Sequence, residues 1–447
     1  MFTKKDLAKI IIPLLIEQIL AITVGMADSV MVSSAGEAAV SGVSLVDSLN
    51  LLLVYVFSAL AGGGAVVIAQ LIGKKDIDGA KESSKQLVWV VFVVSSIICL
   101  LSVAFRVQIL NLIFGKIDSD VMENAKIYFL FTSLSYPFLG LYNAGASIFR
   151  ASGDSKTSML ISLSMNLINI AGNAVLILVF KMGAAGAAIA TLFSRIVGAF
   201  IMMAYVRSKK NPVPIKKLLH YKPDFAIIKR ICGIGIPNGV ENGMFQFGKV
   251  LTQSIVSGFG TAQIAANAVA GSLVSFQYAP GTAIGLGMIT VVGQCVGASE
   301  KEQAKKYAKK LLGITYVSIW IISIILCVFS KPFVSLYGLS SESMDIARDL
   351  ILFHSIFSCS IWPIAFTLPN AFRAASDVKF TMILSICSMW AFRVGLSYLL
   401  ALGFSLGVFG VWIAMTCGDW VFRAICFGIR FLRGTWLTKY HEIKYTS

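Results

Sequence analysis

Charge is scarce in this chain. Only 13% of its 447 residues are Asp, Glu, Lys or Arg, while 57% are hydrophobic. A water-soluble domain carries about 25% charged residues, so this chain has too little polar surface to cover itself in water. Histidine is nearly missing as well: His220, His354 and His441 are the full set. With no HExxH, no GxSxG and no histidine cluster, the common hydrolytic and zinc chemistries have no residues to run on. The eight cysteines, among them Cys99, Cys232, Cys327 and Cys387, are scattered through apolar stretches without a CxxC. That excludes a thiolate metal site and a disulfide framework, and the cysteines read as small buried residues. Period-two alternation is absent too, which excludes a transmembrane barrel.

What the chain does have is long apolar runs separated by short polar knots. They fall at roughly 8–33, 43–72, 86–112, 125–150, 157–180, 184–207, 231–258, 266–297, 309–338, 345–374, 378–403 and 407–432, each near the roughly 20 residues that span a bilayer. Backbone groups in lipid must be satisfied within their own segment, so the runs are expected to be helices. The net charge of +16 is a matter of topology. About 28 Lys and Arg fall in the termini and alternate loops, including Lys74, Lys75, Lys81, Lys85 and Lys301 to Lys310, against about 6 in the loops opposite. The opposite loops hold acids such as Asp118, Asp120, Glu123, Glu342 and Asp345. This bias predicts that both termini are cytoplasmic, in a multi-pass protein of the plasma or inner membrane, and it removes nucleic acid as a partner. The first run lacks a small-residue cleavage site and reads as a retained helix.

The chain also repeats itself. Shifted by 224 positions, Ile10–Lys85 lies on Ile234–Lys309 without a gap, with about 18 of 76 positions identical against about 5 by chance. Pro13 meets Pro237, Glu17 meets Glu241, Gly36 meets Gly260, and Gln70 and Gly73 meet Gln294 and Gly297. A shift of 223 lays Phe149-Arg150-Ala151 on Phe372-Arg373-Ala374 and Asp154 on Asp377. Six helices per half is an even number, so the halves are parallel repeats about an axis along the membrane normal. The expected organisation is an all-α membrane protein of twelve helices around a central cleft. It comprises a six-helix lobe at 1–207, a basic cytoplasmic linker at 208–230, and a second lobe with a cytoplasmic tail at 231–447.

Pro13 with Asp28-Ser29-Val30-Met31-Val32 and Gly36, the Gln70-x-x-Gly73 helix end, and the FRASGD and FRAASD turns resemble the multidrug and toxic compound extrusion (MATE) family over the whole chain. The resemblance implies a cofactor-free antiporter that exports amphipathic, often cationic compounds against inward H⁺ or Na⁺ by alternating access. It further implies a monomer with a substrate cleft between the lobes and an N-lobe cation site at Asp28, Asn169, Asn173 and Thr191. Some members place a second carboxylate where this chain has Asn173, so the site carries one formal charge, with Na⁺ at Asp28 as an option.

The residues reach the same cluster on their own. A charge at the centre of a transmembrane helix costs at least about 2.5–3.5 kcal/mol, so each needs a partner or a role. Counting from the span ends, Asp28, Asn173 and Thr191 lie roughly 8–11 Å below the outer boundary, and Asn169 is one turn deeper than Asn173. A cluster that merely fastens the lobe is the alternative. Asp28 aligns with Thr252 in the repeat, however, and an acid needed only for packing would be expected in both halves.

Glu17 and Glu241 are duplicated, each four residues after its proline, and could face the cleft or the interior of their own lobe. Lys249, two turns beyond Glu241, is a possible internal partner. Pro13 and Pro237 remove a helical hydrogen bond and are expected to kink, and potentially to hinge, their helices. Gln277, Tyr278, Trp390 and Arg393 are further cleft candidates. Gly62-Gly63-Gly64 lies mid-helix and points to close helix packing rather than to a nucleotide loop. The competing function is a flippase for a lipid-linked precursor in the same superfamily, which would want a strongly basic cavity for pyrophosphate; Arg195, Lys249 and Arg393 are instead spread beside acids.

Overall fold

The computed structural model describes residues 2–115, 117–209, 211–215, 218 and 221–438. His220, His441, part of the 208–230 linker, the tail from 439 and the side chain of Ser29 lie outside the described residues. The described residues form helices and no strand.

The order is α1 (Lys4–Ser33), α2 (Glu37–Gly73), α3 (Ile77–Ala104), α4 (Arg106–Phe114), α5 (Ser119–Leu134), α6 (Tyr136–Ala151), α7 (Ser155–Asn173), α8 (Gly183–Arg207) and α9 (Phe225–Val256). Then follow α10 (Thr261–Gly297), α11 (Lys301–Val328), α12 (Ser330–Ser335), α13 (Ser341–Ser360), α14 (Pro369–Ala374), α15 (Val378–Ser388), α16 (Gly407–Ile413) and α17 (Val421–Arg433). Wider π-helical turns occupy Ala174–Val179, Pro363–Thr367, Met389–Gly395, Tyr398–Gly403 and Ala414–Trp420. Among the described residues nine helices are long and apolar enough to cross a membrane, and a pair bent by 63° at the end of α13 is a tenth. The more polar α9 and the consecutive α5 and α6 supply the remaining two segments of a twelve-segment, multi-pass membrane protein.

Several helices begin where the sequence places a cap. Thr3 and Asp6 form a reciprocal capping box on α1, and Asp154 accepts from the Thr157 amide at the start of α7. Gly36 and Gly260 precede α2 and α10 with φ of 98° and 85°. Left-handed backbone at both positions of the repeat is what keeps glycine in both halves.

Four of the expected continuous spans are broken: at Phe105 within 86–112, at Ser135 within 125–150, at Phe329 within 309–338, and at Ile361–Trp362 within 345–374. Hydropathy does not register such breaks, because both sides stay apolar. Three of the four precede a proline, namely Pro137, Pro332 and Pro363, which cannot donate and disfavours helical backbone just before it.

The chain divides into two compact units, Thr3–Gly239 and the chain from Val240 onward together with Phe2. The boundary falls inside α9. In the first unit, a Cβ on Gly63 would lie 2.6 Å from the Gly235 nitrogen and 2.7 Å from the Ile231 carbonyl oxygen. The triple-glycine run thus lets α2 touch the backbone of early α9. A core of this unit gathers Val32, Val43, Val46, Tyr128, Phe129, Ile177 and Ala187. In the second unit, Trp362, Trp412 and Trp420 pack with Val274, Ile319 and Leu350.

Candidate functional site

The first unit holds a cavity of about 330 Å³ lined by Asp28 of α1, Asn169 and Asn173 of α7, and Thr191 of α8. Local sequence brings these helices together. Gly172 has no side chain where a Cβ would come within 2.9 Å of Ala190 Cβ, so α8 approaches α7 closely enough to set Thr191 beside Asn169. The Asn173 amide nitrogen donates to Asp28 Oδ1 at 2.8 Å. Oriented to suit both neighbours, the Asn169 amide sets its nitrogen 3.1 and 3.2 Å from the two Asp28 oxygens and its oxygen 3.3 Å from Thr191 Oγ1 as acceptor. Asp28 therefore takes neutral amide donors and forms no ion pair among the described residues. A π-helical turn starts directly after Asn173, a distortion often found at functional positions.

The same cavity exposes groups that the sequence reading did not assign to it: Asp47 of α2, Tyr128 of α5, and Arg195 of α8. Asp47 Oδ1 accepts from Tyr128 Oη at 2.9 Å and from Asn50 Nδ2 at 3.3 Å. Tyr136 Oη donates to Asn50 Oδ1 at 2.7 Å, and Arg195 donates to Ser135 Oγ at 2.7 Å. Asp47 opens its span only a few residues from the end, where the cost of an intramembrane charge gives little signal. Its asymmetry was available: position 47 aligns with Gly271.

The duplicated glutamates behave differently. Glu17 is buried, with Tyr142 Oη at 3.4 Å, Ser158 Oγ at 3.5 Å and Arg150 at 3.5 Å. Glu241 is buried against Arg373 at 2.7 Å, and Arg373 also donates to Asn370 Oδ1 at 2.9 Å. The repeated glutamate thus meets the repeated arginine of the FRASGD and FRAASD turns in each half. Glu241 finds its ion-pair partner in Arg373, and the exposed Lys249 is not that partner. Pro13 and Pro237 sit inside helices that run uninterrupted through them.

In the second unit a smaller cavity of about 230 Å³ is lined by Glu241, Phe245, Phe366, Asn370, Arg373 and Arg423, among others. Of the six cleft candidates, Glu241 lines it. Arg393 stands behind, over the Phe245 ring at 5.3 Å and 3.8 Å from Asp419. Gln277 is fully buried and donates to Ser355. Tyr278 bonds His354 and stacks on Trp362, and Trp390 packs against Phe247. Glu17 lies in the interior of the first unit. Sequence reasoning missed the fully buried Asp419, which Arg423 contacts at 2.7 Å and Ser388 at 2.6 Å; the i, i+4 spacing of Asp419 and Arg423 was the signal.

Comparison with known proteins places this arrangement. The MatE family profile matches residues 13–175 and again 237–399, in the 224-residue register of the internal repeat. The chain is 26% identical over 437 residues to the "Uncharacterized transporter YisQ" of Bacillus subtilis, covering 96% of this chain and 94% of the relative. It is 26% identical over 442 residues to the "Probable multidrug resistance protein NorM" of Thermotoga maritima, covering 97% and 93%. A crystal structure of MATE in the bent conformation shares the fold with a TM-score of 0.89 at 20% identity, over 98% of this chain and 96% of that one. A repeat carrying two family matches, in an all-helical multi-pass chain, identifies this protein as a member of the MatE family of membrane transporters.

Proposed function

We propose that this transporter is a secondary active antiporter of the cell membrane. It exports amphipathic, often cationic organic compounds in exchange for inward H⁺ or Na⁺ by alternating access. The lobes are 1–207 and 231–447, the linker 208–230 and both termini are cytoplasmic, and the chain works as a monomer.

The observation that carries this reading is the state of Asp28. Glu17, Glu241, Asp377 and Asp419 each have an arginine within 4.0 Å. Asp28 instead sits in a cavity among the side chains of Asn169, Asn173 and Thr191. An intramembrane carboxylate outside any ion pair is costly, and an arriving proton or Na⁺ relieves that cost. Occupancy of the cation can thereby be coupled to conformation. Pro13, inside α1, is the point at which such a switch would bend the helix, with Pro237 as its repeat counterpart. In the second unit, Glu241 and the aromatic and arginine groups around it would receive part of the organic substrate. The name of the Thermotoga maritima relative, a probable multidrug resistance protein, supports the substrate class.

The test is ethidium accumulation in an efflux-deficient bacterium expressing wild type or Asp28→Asn at matched membrane levels. Wild type is expected to lower accumulation in a gradient-dependent way and the variant is not. Equal efflux by both would remove Asp28 from coupling. No effect of wild type on any of a panel of cationic dyes would remove the drug-export reading and favour a lipid-precursor flippase.

A further inference from the structure

The cation site as the sequence presents it carries one acid, because Asn173 stands where some relatives have a carboxylate. The cavity itself carries two. Asp47 enters from α2, a helix that contributes none of the residues assigned to the site from sequence. We propose that Asp47 is the second carboxylate of the N-terminal cation site, so that one monovalent cation, Na⁺ or H⁺, is held in the joint field of Asp28 and Asp47.

Three observations support this. First, both acids line one cavity. Second, Asn173 Oδ1 is an acceptor with no hydrogen-bond partner. It belongs to a residue only 1% exposed and lines the same cavity. A buried carbonyl oxygen left without a donor costs free energy unless a ligand satisfies it. The oxygens of Asp28 and Thr191 line the same cavity, an oxygen-rich environment of the kind hard cations take. Third, the positions are asymmetric across the repeat. Asp28, Asp47, Asn169 and Asn173 correspond to Thr252, Gly271, Arg393 and Ser397, and Arg195 corresponds to Asp419. The negative excess belongs to the first half alone.

The charges also set the stoichiometry. Asp28 and Asp47 with Arg195 give the cavity lining a formal charge of −1, and one monovalent cation brings it to zero. Asp47 is oriented by Tyr128 and Asn50, and Arg195, tied to Ser135, opposes it. The sign of each perturbation follows. Removing Asp47 weakens cation binding, whereas removing Arg195 strengthens it. A merely structural cluster would lose function in both cases.

This inference rests on the proposed coupling role of Asp28, and the experiment separates the two. Purified full-length protein in nanodiscs is assayed for ²²Na⁺ binding. In Na⁺-free buffer, proton release on addition of ethidium is followed, so the two arms distinguish the two ions. Wild type is expected to give a signal in one arm, which Asp28→Asn abolishes. In that arm Asp47→Asn is expected to weaken the apparent affinity about tenfold or more, the effect of one charge at protein-like screening. Asp47→Glu retains most of the affinity, and Arg195→Gln, which keeps a donor for Ser135, tightens it. If Asp28→Asn abolishes the signal but Asp47→Asn matches wild type, the inference on Asp47 fails and the role of Asp28 stands. A weakening by Arg195→Gln similar to that by Asp47→Asn, with both proteins monodisperse, also overturns it. If wild type is silent in both arms, or Asp28→Asn behaves as wild type, the coupling reading and the inference fail together.

Discussion

Replacing Glu241 by Gln leaves Arg373 with a hydrogen-bond acceptor but no counter-charge. The two side chains are 7% and 16% exposed and 2.7 Å apart. Stripping one partner from such a buried pair costs about 3–5 kcal/mol. For a unit of this size, about 2–4 °C of melting temperature is lost per kcal/mol, so Glu241→Gln should lower the apparent midpoint in detergent by about 6–20 °C. The double variant Glu241→Gln/Arg373→Met removes both charges together and should recover most of that loss, because a buried pair and a well-packed neutral replacement are often nearly equivalent. Glu17→Gln should cost less, since Arg150 is farther away at 3.5 Å and Tyr142 and Ser158 remain as donors. The assay is thermal unfolding followed by light scattering or thiol reactivity at fixed detergent and lipid. Additive losses in the double variant, or a Glu241→Gln shift below about 2 °C, would refute the view that the repeated pair fastens its bundle.

Three further substitutions follow from close contacts. Gly172→Leu would force α8 from α7 where a Cβ already meets Ala190 at 2.9 Å; it should abolish ion-coupled efflux while the protein still reaches the membrane. Gly63→Leu would collide with the α9 backbone at 2.6 Å; overpacking costs about 1–3 kcal/mol or more, and loss of monodisperse protein on size exclusion is the expected readout. Tyr278→Phe leaves the fully buried His354 short of a partner at Nε2; the orphaned group costs about 1–3 kcal/mol, measurable as a lower midpoint.

The sequence carried the helical architecture and its repeat because both rest on strong signals: apolar length, and matched prolines, glutamates and glycines at one offset. Asp28, Asn169, Asn173 and Thr191 were legible as a cluster because depth in a bilayer can be counted along a helix. Azimuth cannot be counted in the same way, which is why Glu17 stayed open between cleft and lobe interior and Gln277 was a cleft candidate; both side chains are buried. The Glu17–Arg150 and Glu241–Arg373 pairs were hidden by a one-residue change of offset: the glutamates repeat at 224 and the arginines at 223. Asp47 escaped because it falls only a few residues into the expected span 43–72, where an acid reads as cheap to place in water, whereas α2 begins at Glu37 and the fold brings Asp47 to the Asp28 cavity. The breaks at Phe105 and Phe329, themselves 224 residues apart, leave no mark on hydropathy.

In the function proposed for this transporter, an inward cation gradient acting at Asp28 drives export. Its most direct test uses proteoliposomes in which ethidium movement is recorded under an imposed Na⁺ gradient or an imposed pH gradient, each alone, for wild type and Asp28→Asn. One of the two gradients is expected to drive uphill ethidium movement by wild type, and neither is expected to do so for the variant. Uphill movement of equal rate by Asp28→Asn, or wild-type movement that ignores both gradients, would contradict it.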